Sequence, residues 1–521
     1  MQQSGYEWLL EQVGPIIDFA LEIESGGIDP AECENYDEVK AEITEKLEAL
    51  KAQCPVLEAE PLIYHVDVAA MYPNIILSNR LQPVAIVNEQ ICAGCVFNKE
   101  SNDCKRQLSW EWKGEIYPIN KPEYERVKLQ LKIENEQGPT SNSRTPFENT
   151  EPYSKMLTKR IKDFARMNYN HIKKTEHELK TDTVCMRENP FYVDTVRDFR
   201  DRRYEFKRLV KVWGGKLGEA KKAGDANEIE TAKNRCALYE SLQLAHKIIL
   251  NSFYGYVMKK GARWYSMEMA AMVTHTGGNI IKDSRALIEQ IGHPLELDTD
   301  GIWTCLPKGF PEDFQLKLRN GKKAFLSFPC TMCNLLIYEK YGNKQYQTLT
   351  DKKTLSYEKR LEMSVFFEID GPYKCMMIPA SKEENKMLKK RYAVFTHSGK
   401  ISELKGFELK RRGELQIIKI FQGEVFEKFL EGSSLQECYD ACGEVADRWY
   451  DILESQGDYV NDDELIKYIG EERVMSRTMA EYGSQKSTSI TCARRLGELL
   501  GNEMTKDKGL NVTFIISKKP D

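Results

Sequence analysis

The alternation of apolar and polar positions divides this chain before any chemistry is considered. Residues 1–60 carry helical spacing, for example from Glu38 to Leu50, and the pattern ends at Cys54-Pro55. A short apolar strand, Tyr64-His65-Val66-Asp67, opens residues 61–105, and the chain then turns at Met71-Tyr72-Pro73, where proline fixes the local backbone. Residues 106–185 read as an insertion, in which Trp110 to Tyr117 suits paired strands and the polar stretch Glu136 to Glu151 suits a mobile loop. Residues 186–258 predict a long helical hairpin. Its tip is Gly224-Asp225-Ala226-Asn227, within a Lys-, Ala-, Gly- and Glu-rich stretch from Lys216 to Glu230. From 259 to about 395 the pattern returns to strands, with Asp298 and Asp300 at one turn and Phe366-Phe367-Glu368-Ile369-Asp370-Gly371 on another. From about 408 it is helical again, over Glu414 to Leu430, Leu435 to Glu454 and Ile490 to Leu500. There is no internal repeat, and the order of elements predicts an α+β fold.

At 521 residues the chain exceeds one domain, and its apolar content of 41% is ordinary for a globular protein. No apolar run reaches the length of a membrane span, and Met1-Gln2-Gln3-Ser4-Gly5 lacks the basic-then-apolar layout of a signal peptide. A net charge of −5 excludes a protein that coats nucleic acid by bulk charge, but a catalytic surface needs only a local basic track. Lys155 to Lys174 supplies one, with Lys159, Arg160, Lys162, Arg166, Lys173 and Lys174 interleaved with Phe164, Tyr169 and His171. Lys386, Lys389, Lys390 and Arg391 before Tyr392, and Lys405-Gly406 running on to Arg412, supply two more.

Cysteine adds a second kind of chemistry. Cys92-Ala93-Gly94-Cys95, Cys104 and the distant Cys185 are four soft ligands whose spacing suits zinc or an iron–sulfur cluster, and spacing alone does not separate the two. The plain alternative is four unrelated buried thiols. The other ten cysteines show no such pattern and fit a reducing compartment.

The most informative stretch is Leu295-Glu296-Leu297-Asp298-Thr299-Asp300-Gly301. On a strand, Asp298 and Asp300 would point the same way, with a tight turn at Gly301 exposing them. Two carboxylates this close repel each other unless a divalent cation lies between them. Many solvated turns share the pattern, so it gains weight only from other segments. One is Asp67, ending its strand beside the Val68 carbonyl and Tyr72. Another is Lys247, Asn251 and Tyr254, at i, i+4 and i+7 on one helical face that suits a flat anionic substrate. A third is Arg203 and Lys207, four apart on another helix: by itself such a pair is usually a solvated face, and with Lys247 it suits a triphosphate clamp.

Taken in order, Asp67 with Met71-Tyr72-Pro73, Lys247 with Asn251-Ser252-Phe253-Tyr254-Gly255, and Asp298-Thr299-Asp300 resemble motifs A, B and C of the family B DNA polymerases. The resemblance runs from about residue 55 to the C-terminus, and the cysteines are similar to those of the epsilon branch. It implies a right-hand architecture: an N-terminal helical segment (1–60), an antiparallel-sheet palm (61–105 and 259–407), helical-hairpin fingers (186–258) and a helical thumb (408–521). Residues 106–185 would be an insertion gripping duplex DNA.

The implied activity is that of a DNA-directed DNA polymerase core of nuclear, leading-strand replication. It would add dNTPs to a primer 3′-hydroxyl on primer–template DNA with two Mg²⁺ ions, and would work with accessory subunits. Cys92, Cys95, Cys104 and Cys185 would hold a [4Fe–4S] cluster. By resemblance Asp67, Asp298 and Asp300 are the catalytic carboxylates, with Asp67, the Val68 carbonyl and Asp300 on the metals and Asp298 as a further partner. Glu368 would support them. Arg203, Lys207, Lys247 and Asn251 would hold the triphosphate, with Val68, Met71, Tyr72, Tyr254, Gly255 and Thr299 around the nucleotide. Tyr72 would clash with a ribose 2′-hydroxyl. Lys390-Arg391-Tyr392 and Lys405-Gly406 would hold the primer–template.

The chain departs from the family pattern in three respects. Ala70 stands where most members have Ser, which predicts a local packing change. Sixty residues before the first motif are too few for an exonuclease domain, and Glu22-Ile23-Glu24 lacks the context of its acid pair. The thumb is expected to stop short at Lys518-Lys519-Pro520-Asp521, so the sequence reads as a fragment. Two alternatives stand beside an active core: an inert remnant that binds primer–template, and a polymerase of another family B branch.

Overall fold

The structure is a computed structural model, and it describes residues 2–56, 60–137, 152–379, 388–410, 415–483, 485, 487–505 and 508–515. Most of the expected Glu136–Glu151 loop, Lys386, Arg411, Arg412, Glu414 and the stretch from Lys518 to Asp521 lie outside the described residues.

The centre is a four-stranded antiparallel sheet in the order Phe367–Tyr373, Pro61–Val68, Gly301–Pro307, His293–Leu297. The Gly301–Pro307 strand is buried nearly throughout and the Pro61–Val68 strand alternates, as expected for central strands with one covered face. Helices Gln3–Phe19, Met267–Ile291 and Phe328–Tyr341 pack together with this sheet in one apolar core. Two of these helices lie where the sequence pattern predicted strands. The Met267–Ile291 helix buries Met269, Met272, Val273, Gly277, Ile280, Ile281, Ser284, Leu287, Ile288 and Ile291, a spacing of three and four, so a helical period is present there and outweighs the β-branched content. The Phe328–Tyr341 helix is buried on almost every side, which removes the periodic signal altogether.

Phe191–Ala223 and Ala226–Val257 form the long antiparallel hairpin that the sequence predicts. At 33 residues the first helix is roughly 50 Å long at about 1.5 Å per residue. The turn sits at the expected tip: Gly224 takes the left-handed conformation that ends a helix, and the Asp225 carboxylate accepts from the Asn227 and Glu228 amides. The Lys105–Ile116 and Lys174–Cys185 strands pair along their whole length and frame helices Lys121–Gln137 and Tyr153–Tyr169. The C-terminal part is helical over Gln416–Phe429, Leu435–Glu454 and Thr488–Leu500. It also holds a strand pair, Gly470–Val474 with Asn511–Ile515, around a small core of Met475, Ile490, Ala493, Val512 and Phe514. Among the described residues no helix is long and apolar enough to cross a membrane.

Candidate active site

Asp67 lies one residue from the end of its strand, directly opposite Glu368 on one neighbour and Gly301 on the other. The chain then breaks sharply. The Val68 amide donates to the Asp300 carbonyl at 2.8 Å and the Ala69 amide to the Phe366 carbonyl at 3.1 Å. Ala70 adopts a left-handed conformation (φ 47°, ψ 52°), and the Met71–Asn79 helix begins without a side-chain cap. The Met71 and Tyr72 amides, at the start of this helix, have no carbonyl a turn earlier to bond, and Pro73 has no amide at all. Asn74 holds the break in place. Its Nδ2 donates to the Ala69 carbonyl at 2.7 Å and to the Tyr204 hydroxyl at 3.2 Å, and its Oδ1 accepts from Arg200 at 3.4 Å, so the turn is tied to the helical hairpin.

The Asp298–Asp300 segment differs from the expected strand. The His293–Leu297 strand ends before Asp298, and the Asp298 amide donates to the Gly301 carbonyl at 2.9 Å, closing the turn. Gly301 is not the turn residue; it opens the next strand, and its need for glycine is one of space. A β-carbon there would stand 2.6 Å from His65 Nε2 and 2.9 Å from Asp67 Oδ1. His65 cannot easily give way, because its ring stacks on buried Trp303 with centroids 4.2 Å apart.

One cavity of about 400 Å³ gathers residues far apart in sequence. It is lined by Asp67 to Pro73, Asp300, Glu368, Arg203, Lys207, Lys247, Leu250, Asn251 and Tyr254. Four cationic or amide side chains from the hairpin therefore face carboxylates from three strand ends and turns. Lys207 Nζ stands 3.6 Å from Glu368 Oε2. Arg203 is buried, and its Nε has no hydrogen-bond partner among the described residues. Tyr72 and Tyr254 lie ring to ring, with centroids 4.4 Å apart. The Met71 side chain is packed away in the core, against the space left by Gly277, so only its backbone is available to a ligand. Thr299 and Gly255 do not line the cavity.

The electrostatics of the carboxylates are unequal. Burial, and then Asp300, Glu368, Asp298 and Asp370 in turn, push Asp67 up to about 7. Burial and the neighbouring Asp298 also raise Asp300. Asp298 goes the other way. Burial opposes its ionisation, but Lys390, the Thr299 amide and Lys405 bring it down to about 2. Its Oδ1 is 2.7 Å from Lys390 Nζ and its Oδ2 is 3.6 Å from Lys405 Nζ. Lys390 and Lys405 are thus brought to the site, whereas Arg391 turns to Glu408 at 3.2 Å and the Tyr392 hydroxyl donates to Glu403 at 3.3 Å. Among the described residues no three His, Cys, Asp or Glu side chains are close enough, as placed, to hold a metal ion. The donor chemistry nonetheless fits Mg²⁺: hard carboxylate oxygens of Asp67 and Asp300, held in mutual repulsion, with the Val68 backbone between them.

The four cysteines occupy another corner. Cys92 lies on the Glu89–Ala93 helix, and the Cys95 amide donates to the Cys92 carbonyl at 3.0 Å. Cys104 and Cys185 sit at the root of the paired strands, joined by the Met186 amide donating to the Cys104 carbonyl at 2.8 Å. Burial raises both thiols. Arg187, and the backbone amides of Arg187 and Glu188, act in the opposite sense. Four soft donors beside a cation fit a thiolate-ligated centre, although the side chains do not close on one point.

Sequence reasoning did not anticipate the pairing of Asp298 with Lys390 and Lys405, nor the register that sets Glu368 opposite Asp67. Both depend on long-range strand order, and no local signal announces them.

The chain is similar in sequence to known proteins along its whole length. Residues 166–318 match the model of DNA polymerase family B, and residues 411–521 match that of the thumb domain of the DNA polymerase epsilon catalytic chain. The chain is 52% identical over 526 residues to a DNA polymerase epsilon catalytic subunit of Arabidopsis thaliana, covering 100% of this chain and 24% of that protein. It is 53% identical over 524 residues to the epsilon catalytic subunit of Aspergillus fumigatus, covering 99% of this chain and 23% of that one. The corresponding protein of Kluyveromyces lactis is 53% identical over 519 residues, with 98% and 24% covered. The chain thus spans about a quarter of the length of the curated relatives it matches. Among solved structures, the family B DNA polymerase of the archaeon Pyrobaculum calidifontis aligns over 89% of this chain and 41% of its own, with 17% identity and a TM-score of 0.41. On the sequence identities and the two family models, the chain belongs to the family B DNA polymerases and, within them, with the epsilon catalytic subunits.

Proposed function

We propose that this chain is the polymerising core of an epsilon-type replicative DNA polymerase, joining a deoxynucleotide to the 3′-hydroxyl of a primer on a DNA template. The observation that carries this reading is the single cavity in which Asp67 and Asp300 face Arg203, Lys207, Lys247 and Asn251. Phosphoryl transfer asks little covalent chemistry of a protein; it asks for positioning and for compensation of charge. Two Mg²⁺ ions, when bound, lower the pKa of the attacking hydroxyl and stabilise charge on the attacking and leaving oxygens.

The chain's own residues do the rest. Asp67, Asp300 and the Val68 carbonyl would hold the metals, and Glu368, opposite Asp67 on the next strand, adds negative charge beside them. Arg203, Lys207, Lys247 and Asn251 bind the triphosphate. The Met71 and Tyr72 amides at the helix start add donors toward the same anion. The Tyr72 ring, braced by Tyr254, closes the space that a ribose 2′-hydroxyl would need. Lys390 and Lys405 meet the primer–template. Cys92, Cys95, Cys104 and Cys185 hold a [4Fe–4S] cluster that supplies structure at the root of the inserted strands. Work in the nucleus alongside accessory subunits follows from the same reading.

Primer extension with Mg²⁺ and dNTPs, comparing the wild-type chain with Asp300→Ala, tests it. Extension by the wild type alone is expected. If both proteins are inert yet still shift a primer–template duplex on a gel, the chain is a DNA-binding remnant. If neither binds DNA, the functional reading fails.

A further inference from the structure

The four cysteines come from three separate pieces of chain, and one cation is tied to all three. Cys92 and Cys95 lead to Phe97, Cys104 follows Asn102 and Asp103, and Cys185 stands two residues before Arg187. The Arg187 guanidinium is held between two rings, 5.2 Å from the centroid of Phe97 and 4.4 Å from that of Tyr357. The rings themselves meet edge to face at 5.6 Å. Arg187 Nε donates to Gln347 Oε1 at 2.6 Å. Gln347 is buried, and its Nε2 donates to the Asn102 carbonyl at 2.6 Å and the Asp103 carbonyl at 3.1 Å. Both ends of this amide are therefore engaged: its oxygen faces the cation, and its two N–H groups face the approach to Cys104.

Gln347 and Tyr357 belong to the strand pair Asn343–Asp351 with Ser356–Glu362, which carries none of the cysteines. Two more of its side chains reach the same segment. Gln345 Nε2 donates to Asp103 Oδ1 at 2.7 Å, and Lys359 pairs with the other Asp103 oxygen. Asp103, left-handed at φ 44°, is thus fixed by its carboxylate and by its carbonyl. The Tyr357 hydroxyl donates to the Arg187 carbonyl at 3.4 Å. Asn102 Nδ2 donates at 2.8 Å to the Phe97 carbonyl, which also accepts the Cys104 thiol at 3.8 Å. Among the described residues Arg187 forms no ion pair, so its charge is not paired with a carboxylate.

We infer that Arg187 is a positioning residue of the cysteine corner: pinned by Gln347, Phe97 and Tyr357, it draws the three cysteine-bearing pieces together and sets one fixed positive charge against the thiolate-ligated centre they form. This rests on the reading of Cys92, Cys95, Cys104 and Cys185 as one centre. Four thiolates around a metal leave a net negative charge, and in a partly buried corner a cation free of any carboxylate compensates it. The strand pair behind the corner is then part of the site, although it supplies no ligand.

A metal titration of the full chain tests it. The metal-free protein is titrated with Co²⁺ alone, whose absorption reports thiolate ligation directly. Arg187→Gln is expected to weaken Co²⁺ binding by about tenfold or more. Arg187→Lys fills about the same space, keeps the charge and can still donate to Gln347, so it should stay within about threefold of wild type. Gln347→Leu should weaken binding by about threefold or more on its own and add nothing to Arg187→Gln, because the two side chains act as one unit. Mn²⁺ binding at the carboxylate cavity, read in parallel as a check on folding, should be the same in all four proteins. Co²⁺ affinity that is unchanged in Arg187→Gln, or equally weakened in Arg187→Gln and Arg187→Lys, overturns the inference alone, as do losses that add in the double variant. A wild-type chain that binds no Co²⁺ through thiolates overturns the reading of the four cysteines as one centre, and this inference with it.

Discussion

The carboxylate cavity and the four-cysteine corner are both candidate metal sites, and they are built on opposite principles. Strand register sets Asp67 opposite Glu368, and the turn before the Gly301–Pro307 strand brings Asp300 beside them, so the fold forces their charges together whatever the cost to each. Cys92 and Cys95 lie on a five-residue helix and the turn after it. Cys95 is exposed, and the buried Cys104 donates its thiol to the Phe97 carbonyl at 3.8 Å. In the first place folding has already brought the carboxylates into mutual repulsion, so a cation relieves a cost that folding imposed. In the second, assembly is left to the ligand, so binding and local folding are one event.

That contrast is broken or sharpened by four experiments. The largest effect is expected from Asp67→Ala, which should cut primer extension by about a thousandfold or more while leaving the metal-free protein at least as heat-stable as wild type. A matching loss of stability would mean the carboxylates are structural. Next, Cys104→Ser should abolish bound iron and raise hydrogen exchange across residues 88–104 without changing Mn²⁺ binding at the cavity. Coupled loss of both sites would erase the distinction. Third, Gly301→Ala should lower unfolding free energy by about 1–3 kcal/mol, because His65 and Asp67 have no room to move. A neutral result in denaturant titration would show that the strand pair can spread.

The smallest effect concerns pH. Asp67, pushed up to about 7, binds its proton more tightly folded than unfolded. Its contribution to the stability of the metal-free protein is therefore greatest below the ordinary carboxylate range, near about 4, and is lost as pH rises toward about 7. Metal must displace that proton, so Mg²⁺ affinity should climb by about fivefold from pH 6 to 7 and level off above about pH 8. A flat profile in a metal titration would place the charge elsewhere. The cysteine corner should show its pH dependence at higher values, where buried thiols ionise.

What could be read from the sequence was what a local pattern can encode. The i, i+4, i+7 spacing put Lys247, Asn251 and Tyr254 on one face, and all three line the cavity. Gly224-Asp225 marked the hairpin tip because a left-handed residue followed by a capping carboxylate is a local device. The Met267–Ile291 and Phe328–Tyr341 helices were hidden among expected strands. The first has a helical period masked by its β-branched residues, and burial on all sides leaves the second with none. The identity of the Asp67 neighbours was out of reach for a different reason: strands 61–68, 301–307 and 367–373 meet across hundreds of residues, and their register is decided by the whole core.

Position 301 also has a genetic consequence. Every missense change in a glycine codon adds at least a β-carbon, and here that carbon enters the space between a stacked imidazole and Asp67. Codon 301 therefore has no conservative alternative. In a saturation library selected for the proposed polymerase activity, it should tolerate only synonymous changes, and it should do so more strictly than codon 298, where glutamate can still reach the lysines.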